Sequence, residues 1–210
     1  MTKKKELDKL NVLHVALIGL ISYSMILRYL PNFFTVARLF LIAPFLYYLY
    51  TTQYEISFYI FLIAGFTDGL DGWLARQFHW KSRFGSFVDP LADKLLIASS
   101  FISLAYLGHL PWWLVALVFL RDLTISFGVL ALYTFIKKRP NFKPSLLSKI
   151  NTVLQLALVT FCLFELAFTQ KEPWITTSLI ILTTITTTAT YVDYVMFWGE
   201  KAFKGALRKP

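Results

Sequence analysis

The sequence predicts an all-α, polytopic integral membrane protein: six transmembrane helices preceded by an N-terminal interfacial helix. Three observations carry that prediction. Of the 210 residues, 57% are hydrophobic and 18% aromatic, above the about 45–50% apolar usage of soluble domains. Six apolar runs have near-spanning length. The loops between them alternate between basic and almost uncharged.

Residues 11–27 are apolar and uncharged, but the stretch is short and contains Asn11, His14, Ser22 and Ser24. A span there would carry Lys3, Lys4 and Lys5 outward, against the excess of lysine and arginine in cytoplasmic loops. We therefore expect this stretch to lie in or near the cytoplasmic interface. The leading residues include Glu6 and Asp8 and lack arginine, which argues against a mitochondrial transit peptide, and no small-residue cleavage site suggests a signal peptide.

The expected spans are 34–50, 55–76, 85–107, 112–137, 149–168 and 174–198. Lys9, Arg28, Arg76, Lys81, Arg83, Lys137, Lys138, Arg139, Lys143, Lys201, Lys204, Arg208 and Lys209 fall on one side. The opposite links, 51–54, 108–111 and 169–173, hold only one basic residue, Lys171. Both termini are thus expected on the cytoplasmic side. Trp112, Trp113, Trp174 and Trp198 stand at span ends, as in an interfacial belt. The hydroxyls of the threonine-rich patch 183–190 are expected to bond back to helical carbonyls or across to a neighbouring helix. The organisation is an interfacial segment over 1–30, one transmembrane domain over 31–200 and a basic tail over 201–210.

The formal charge of +9 fits membrane orientation and attraction to anionic headgroups, and no nucleic-acid partner is expected. The one cysteine, Cys162, lies in an apolar run, where it reads as a small buried hydrophobe.

Against this apolar background stands the stretch 65–94, GFTDGLDGWLARQFHWKSRFGSFVDPLADK. Asp68 and Asp71 are three residues apart, and Asp89 and Asp93 four, so each pair shares one helix face. An ionised carboxylate at mid-membrane costs about 2.5–3.5 kcal/mol on insertion scales. Four of them call for a divalent cation with oxygen ligands. The pattern is D-x2-D-G-x2-A-R-x8-G-x3-D-x3-D, eight fixed positions within the 26 residues from Asp68 to Asp93, which makes it far more specific than a lone glycine motif.

Each part has a physical use. Carboxylate-only ligation by Asp68, Asp71 and Asp89 suits two Mg²⁺ or Mn²⁺ ions, which clamp a diphosphate. Gly72, Ala75 and Gly85 leave room for a planar group or a sugar against the backbone. Arg76 offers a fixed cation for phosphate. Asp93, one turn beyond Asp89, is a candidate general base for an attacking hydroxyl. A polar helix seam or a cation-transport pathway is the alternative, but neither needs Gly-x2-Ala-Arg at these offsets. Histidine metal chemistry is not expected, since His14, His79 and His109 do not cluster in sequence.

The pattern resembles, without departure, the signature of the CDP-alcohol phosphotransferases. The opening of the first span, with Pro31, Asn32, Thr35 and Arg38, is similar to that family's Pro-Asn-x2-Thr-x2-Arg. The resemblance implies a six-helix membrane enzyme, usually a homodimer, in a bacterial inner membrane. It would move a phosphatidyl group from CDP-diacylglycerol to an alcohol and release CMP. It implies Asp68, Asp71, Asp89 and Asp93 at two metal ions, Asp93 as the catalytic base, and Asp68, Gly72, Ala75, Arg76, Gly85, Asn32 and Thr35 against cytidine diphosphate. Thr35 is equally explained by helix packing.

The acceptor must be read from other helices. The segment 143–155, with Lys143, Pro144, Ser148, Lys149, Asn151, Thr152 and Gln155, is similar to that of the branch that makes cardiolipin from phosphatidylglycerol. Arg121-Asp122 also resembles that branch. The branch that uses glycerol 3-phosphate typically has Arg-Glu there and a second arginine eight residues on, where this chain has Val129. A phosphodiester carries less charge than a phosphomonoester and needs fewer cations. Arg121, Lys149, Lys143 and Arg38 are the candidates for holding the acceptor. Lys149 also reads as an interfacial snorkelling residue, Lys143 as a headgroup-attracting charge and Arg121 as half of a structural ion pair. Glu165 and Asp193, the remaining acids in the spans, have no partner legible in the sequence.

Overall fold

The computed structural model describes residues 30–78, 85–136, 146–168 and 173–206. These residues form six α-helices: α1 Leu30–Tyr50, α2 Tyr54–Gln77, α3 Gly85–Tyr106, α4 Trp112–Ile136, α5 Leu146–Phe168 and α6 Pro173–Ala206. No strand occurs among the described residues. The interfacial segment expected over 11–27 lies outside them.

Helix ends fall where local chemistry requires. At the end of α1, the Thr52 amide bonds the Leu49 carbonyl at 3.3 Å and the Gln53 amide bonds the Tyr48 carbonyl at 2.9 Å. At the end of α3, the Gly108 amide bonds Ala105 at 3.0 Å and the His109 amide bonds Leu104 at 2.8 Å. Both are Schellman closures, which satisfy the last carbonyls by turning one residue left-handed. Gly108 does so at φ 79°, and Thr52 at φ 61° despite its branched side chain. Inside α1, Pro44 removes one helical donor, and one residue further on Ser57 Oγ of α2 donates to the Phe45 carbonyl at 3.2 Å.

Three helices are long and apolar enough to cross a bilayer among the described residues, with windows at Phe33–Tyr50, Leu146–Phe168 and Trp174–Met196. The burial pattern supports a lipid setting. Phe40 and Met196 are 76% and 70% exposed, whereas Arg38 and Asn151 are fully buried. Large apolar groups outside and hydrogen-bonding groups inside is the arrangement that lipid favours. Trp112, Trp113 and Trp174 stand exposed at helix starts, in keeping with the belt read from the sequence.

The described residues divide into two compact units. One comprises residues 30–41 and 63–94, whose buried positions include Thr35, Arg38, Ala64 and Ala92. The other comprises 42–62 and 95–206. In it α6 packs on α4 and α5, and the core holds Phe45, Phe61, Phe101, Leu114, Leu158 and Leu163. Its rings interlock as well, with Phe45–Phe61 centroids at 5.7 Å and Phe58–Phe168 at 5.4 Å.

Residues 201–206, read as the start of a basic tail, are helical and continue α6 beyond its apolar window. Glu200, Lys201, Ala202 and Lys204 are good helix formers, and neither Gly199 nor Gly205 interrupts the helix.

Candidate active site

Helix α2 carries Asp68, Asp71, Gly72, Ala75 and Arg76, and α3 carries Gly85, Asp89 and Asp93. All four aspartates are therefore helical, and each pair lies on one helix face. The side chains of Asp71, Ala75, Arg76, Asp89 and Asn32 lie outside the described residues. So does Gly85 beyond its place as the first residue of α3, and so does Lys143 altogether.

Asp68 and Asp93 meet at one group, the guanidinium of Arg38. Arg38 Nη1 pairs with Asp68 Oδ1 at 2.9 Å and also with Asp93 Oδ1. Its Nε donates to the Ala64 carbonyl at 3.1 Å. That carbonyl also accepts from Thr67 Oγ1 at 2.8 Å. The arginine side chain is fully buried, while the Asp68 and Asp93 side chains are 44% and 37% exposed. The cation is thus sealed beneath two carboxylates that keep an open side. Two negative groups against one positive leave a net −1 among these three residues, a charge that suits a cation or a ligand carrying one. Thr35, expected with Arg38 on the polar side of the first span, is fully buried one turn earlier. Ala64 and Ala92, in the same unit, have no exposed surface.

A second polar group occupies α4, α5 and α6. Arg121 is buried, bonds Asp122 Oδ1 at 2.7 Å and donates through Nη2 to Ser148 Oγ at 2.6 Å. Its Nε has no partner among the described residues. The ion pair read as one option for Arg121 is thus present. Lys149, next to Ser148, is exposed. Three residues beyond Ser148, the buried Asn151 Oδ1 accepts from Thr187 Oγ1 at 2.8 Å and from Thr186 Oγ1 at 2.9 Å. The threonine patch bonds in both expected ways. Thr184 and Thr190 return to carbonyls of their own helix, and Thr187 crosses to α5. Asn151 Nδ2, Gln155 Nε2 and Thr183 Oγ1 are buried without partners among the described residues.

Two further acids are placed. Glu165, buried on α5, accepts from Thr176 Oγ1 at 2.5 Å beside a cavity of about 220 Å³ lined also by His109 and Cys162. Asp193 is exposed. Nothing in the sequence signals the Glu165–Thr176 contact. A polar residue on each of two consecutive spans was the only available cue.

The geometry and the sequence pattern converge on one class. The family model for CDP-alcohol phosphatidyltransferases matches residues 28–195, and the chain belongs to that family. Among curated proteins it is similar to the "Probable cardiolipin synthase (CMP-forming)" of Drosophila melanogaster, 35% identical over 80% of this chain and 56% of the fly protein. It is similar also to a "Probable phosphatidylglycerophosphate synthase" of Mycobacterium tuberculosis, 34% identical over 79% of both chains. A third relative, the "Cardiolipin synthase (CMP-forming)" of Rattus norvegicus, is 33% identical over 82% of this chain and 62% of its own length. The chain thus spans little more than half of the fly relative's length.

Proposed function

We propose that the protein transfers the phosphatidyl group of CDP-diacylglycerol to phosphatidylglycerol, giving cardiolipin and CMP. The observation that carries the donor half is the cluster in which Asp68 and Asp93, both within the family signature, share buried Arg38 with their carboxylates partly open. In this reading Asp93 takes the proton of the acceptor's terminal glycerol hydroxyl. The oxygen attacks the phosphorus that bears diacylglycerol, the bond from that phosphorus to the bridging oxygen of the diphosphate breaks, and CMP leaves with that oxygen. Asp68, Gly72, Ala75, Arg76, Gly85 and Asn32 bind and orient the cytidine diphosphate, while Thr35, expected beside them, is fully buried and fits the helix-packing reading instead.

The family is divalent-metal dependent as a class. The donor set fits such an ion, because the described members, Asp68 and Asp93, offer only hard oxygens with a residual negative charge. Asp68, Asp71 and Asp89 would hold two Mg²⁺ or Mn²⁺, with Asp93 close by. These ions supply charge neutralisation for the diphosphate and for the leaving phosphate.

The choice of phosphatidylglycerol rests on the segment 143–155, on Arg121-Asp122 and on Val129, with Arg121, Lys149 and Lys143 as acceptor contacts. Transfer to glycerol 3-phosphate is the second reading, favoured by the mycobacterial relative, which aligns over 79% of its length. The six helices are read as six spans in a bacterial inner membrane, with both termini cytoplasmic and two copies forming a homodimer. The deciding experiment offers purified protein CDP-diacylglycerol, Mn²⁺ or Mg²⁺, and each acceptor in a separate tube. Cardiolipin from the phosphatidylglycerol tube supports the first reading. Phosphatidylglycerophosphate from the other tube replaces it with the second.

A further inference from the structure

Arg38 stands among the groups expected to hold the acceptor, yet its contacts point elsewhere. Its three described partners are the Ala64 carbonyl, Asp68 and Asp93, and none of its side-chain surface is exposed. A group with no exposed surface is poorly placed to meet a substrate. It is well placed to fix the residues that do.

We propose that Arg38 is a positioning residue for Asp93. The guanidinium is planar and cannot lose its proton, so its donors point in fixed directions. Nε is anchored on the α2 backbone at Ala64, 26 residues away in sequence, and this sets the plane of the fork. Nη1 then fixes Oδ1 of Asp93, 55 residues away, beside Oδ1 of Asp68. The base on α3 and the leading aspartate of α2 are thereby indexed to one rigid cation. Both carboxylates keep more than a third of their side-chain surface open, so the fixing contact leaves a face for ligands. This inference rests on the reading of Asp93 as the base.

The test uses the full chain in detergent with CDP-diacylglycerol, phosphatidylglycerol and Mn²⁺. Arg38→Lys keeps the charge and loses the planar fork. We expect kcat to fall about 10–100-fold, as for small misplacements of a reacting group. KM for either lipid should stay within about twofold, the signature of an interaction used in turnover rather than in binding. Mn²⁺ binding, followed by electron paramagnetic resonance, should be retained, because lysine keeps a cation beside Asp68. In an Asp93→Asn background the Arg38→Lys change should cost nothing more, because the two residues act as a unit. An unchanged kcat would overturn the proposal. So would a loss confined to KM for phosphatidylglycerol, which would make Arg38 an acceptor contact, or an additive loss in the Asp93→Asn background. If Arg38→Lys does not fold, Arg38→Ala supplemented with guanidinium takes its place. Restored turnover supports positioning, and absent rescue with intact Mn²⁺ binding refutes it. Turnover in Asp93→Asn alone would remove the base reading itself. An inactive Asp93→Asn beside a fully active Arg38→Lys would remove only the role of Arg38.

Discussion

The Arg38 cluster and the Asn151 seam are both buried polar groups on helices, yet they solve different problems. Around Arg38, one cation meets two carboxylates that are partly open and leave a negative remainder. Around Asn151, every group is neutral, and Asn151, Thr187 and Thr190 are sealed from the surface. Charge is the costlier thing to hold in a membrane. Neutral amides and hydroxyls hold two helices together at small cost. Polarity alone therefore does not single out a reactive centre; in the function proposed above, residual charge with an open side does.

The sharpest way to break that contrast is to neutralise the charged cluster. Asp93→Asn is expected to keep CDP-diacylglycerol binding and to lose about 10²–10⁴-fold in CMP release. Robust turnover would place the base elsewhere. Asp71→Asn is expected to lose metal dependence and activity together, and activity surviving at low metal would remove Asp71 from the ligand set.

The neutral seam should respond in stability instead. Thr187→Val removes the 2.8 Å donor to Asn151 and is expected to cost about 1 kcal/mol in detergent unfolding, with turnover retained. Thr186→Val should cost less. The single proton of Thr186 is also within reach of the Leu182 and Thr183 carbonyls, so only part of it serves Asn151. Equal losses would mean that both hydroxyls are committed to the amide. Gln155→Leu tests the seam from the other side, because Gln155 Nε2 is buried with no partner among the described residues. Removing it is expected to stabilise by about 1 kcal/mol. A loss of turnover there would show that the seam receives a substrate after all.

The smallest effect compares two turns of the same design. Thr52→Gly is expected to stabilise by about 0.5–1 kcal/mol, since the left-handed backbone that Gly108 adopts freely strains a branched residue. No gain in thermal unfolding would mean that the Thr52 hydroxyl, which lies 2.7 Å from the Thr51 carbonyl, offsets the strain.

Much of this was legible in advance. The expected spans agree with the helices within a few residues at most ends, because apolar length and flanking breakers act locally. The aspartates were conspicuous because charge is rare in such runs. The partner of Arg38 was not legible. Helical periodicity says which residues share a face but not which faces meet, and the contacts of Arg38 lie 26 and 55 residues away. The same holds for Asn151 and Thr187, which are 36 residues apart. That the helix of α6 runs on to Ala206, past the end of the apolar window, was not legible, because basic composition marks where a span ends but not where helix ends.

That last helix has a mechanical consequence. Its 34 residues make a rod about 51 Å long, whereas a bilayer's hydrocarbon layer is about 30 Å thick. The apolar window closes at Met196, so the remaining 10 residues to Ala206 carry Lys201 and Lys204 on a stiff arm reaching about 15 Å further. Charges on a loose tail find their own depth. Charges on a rod stand at a height dictated by bilayer thickness and tilt. The height of this helical extension above the apolar window is therefore coupled to bilayer thickness.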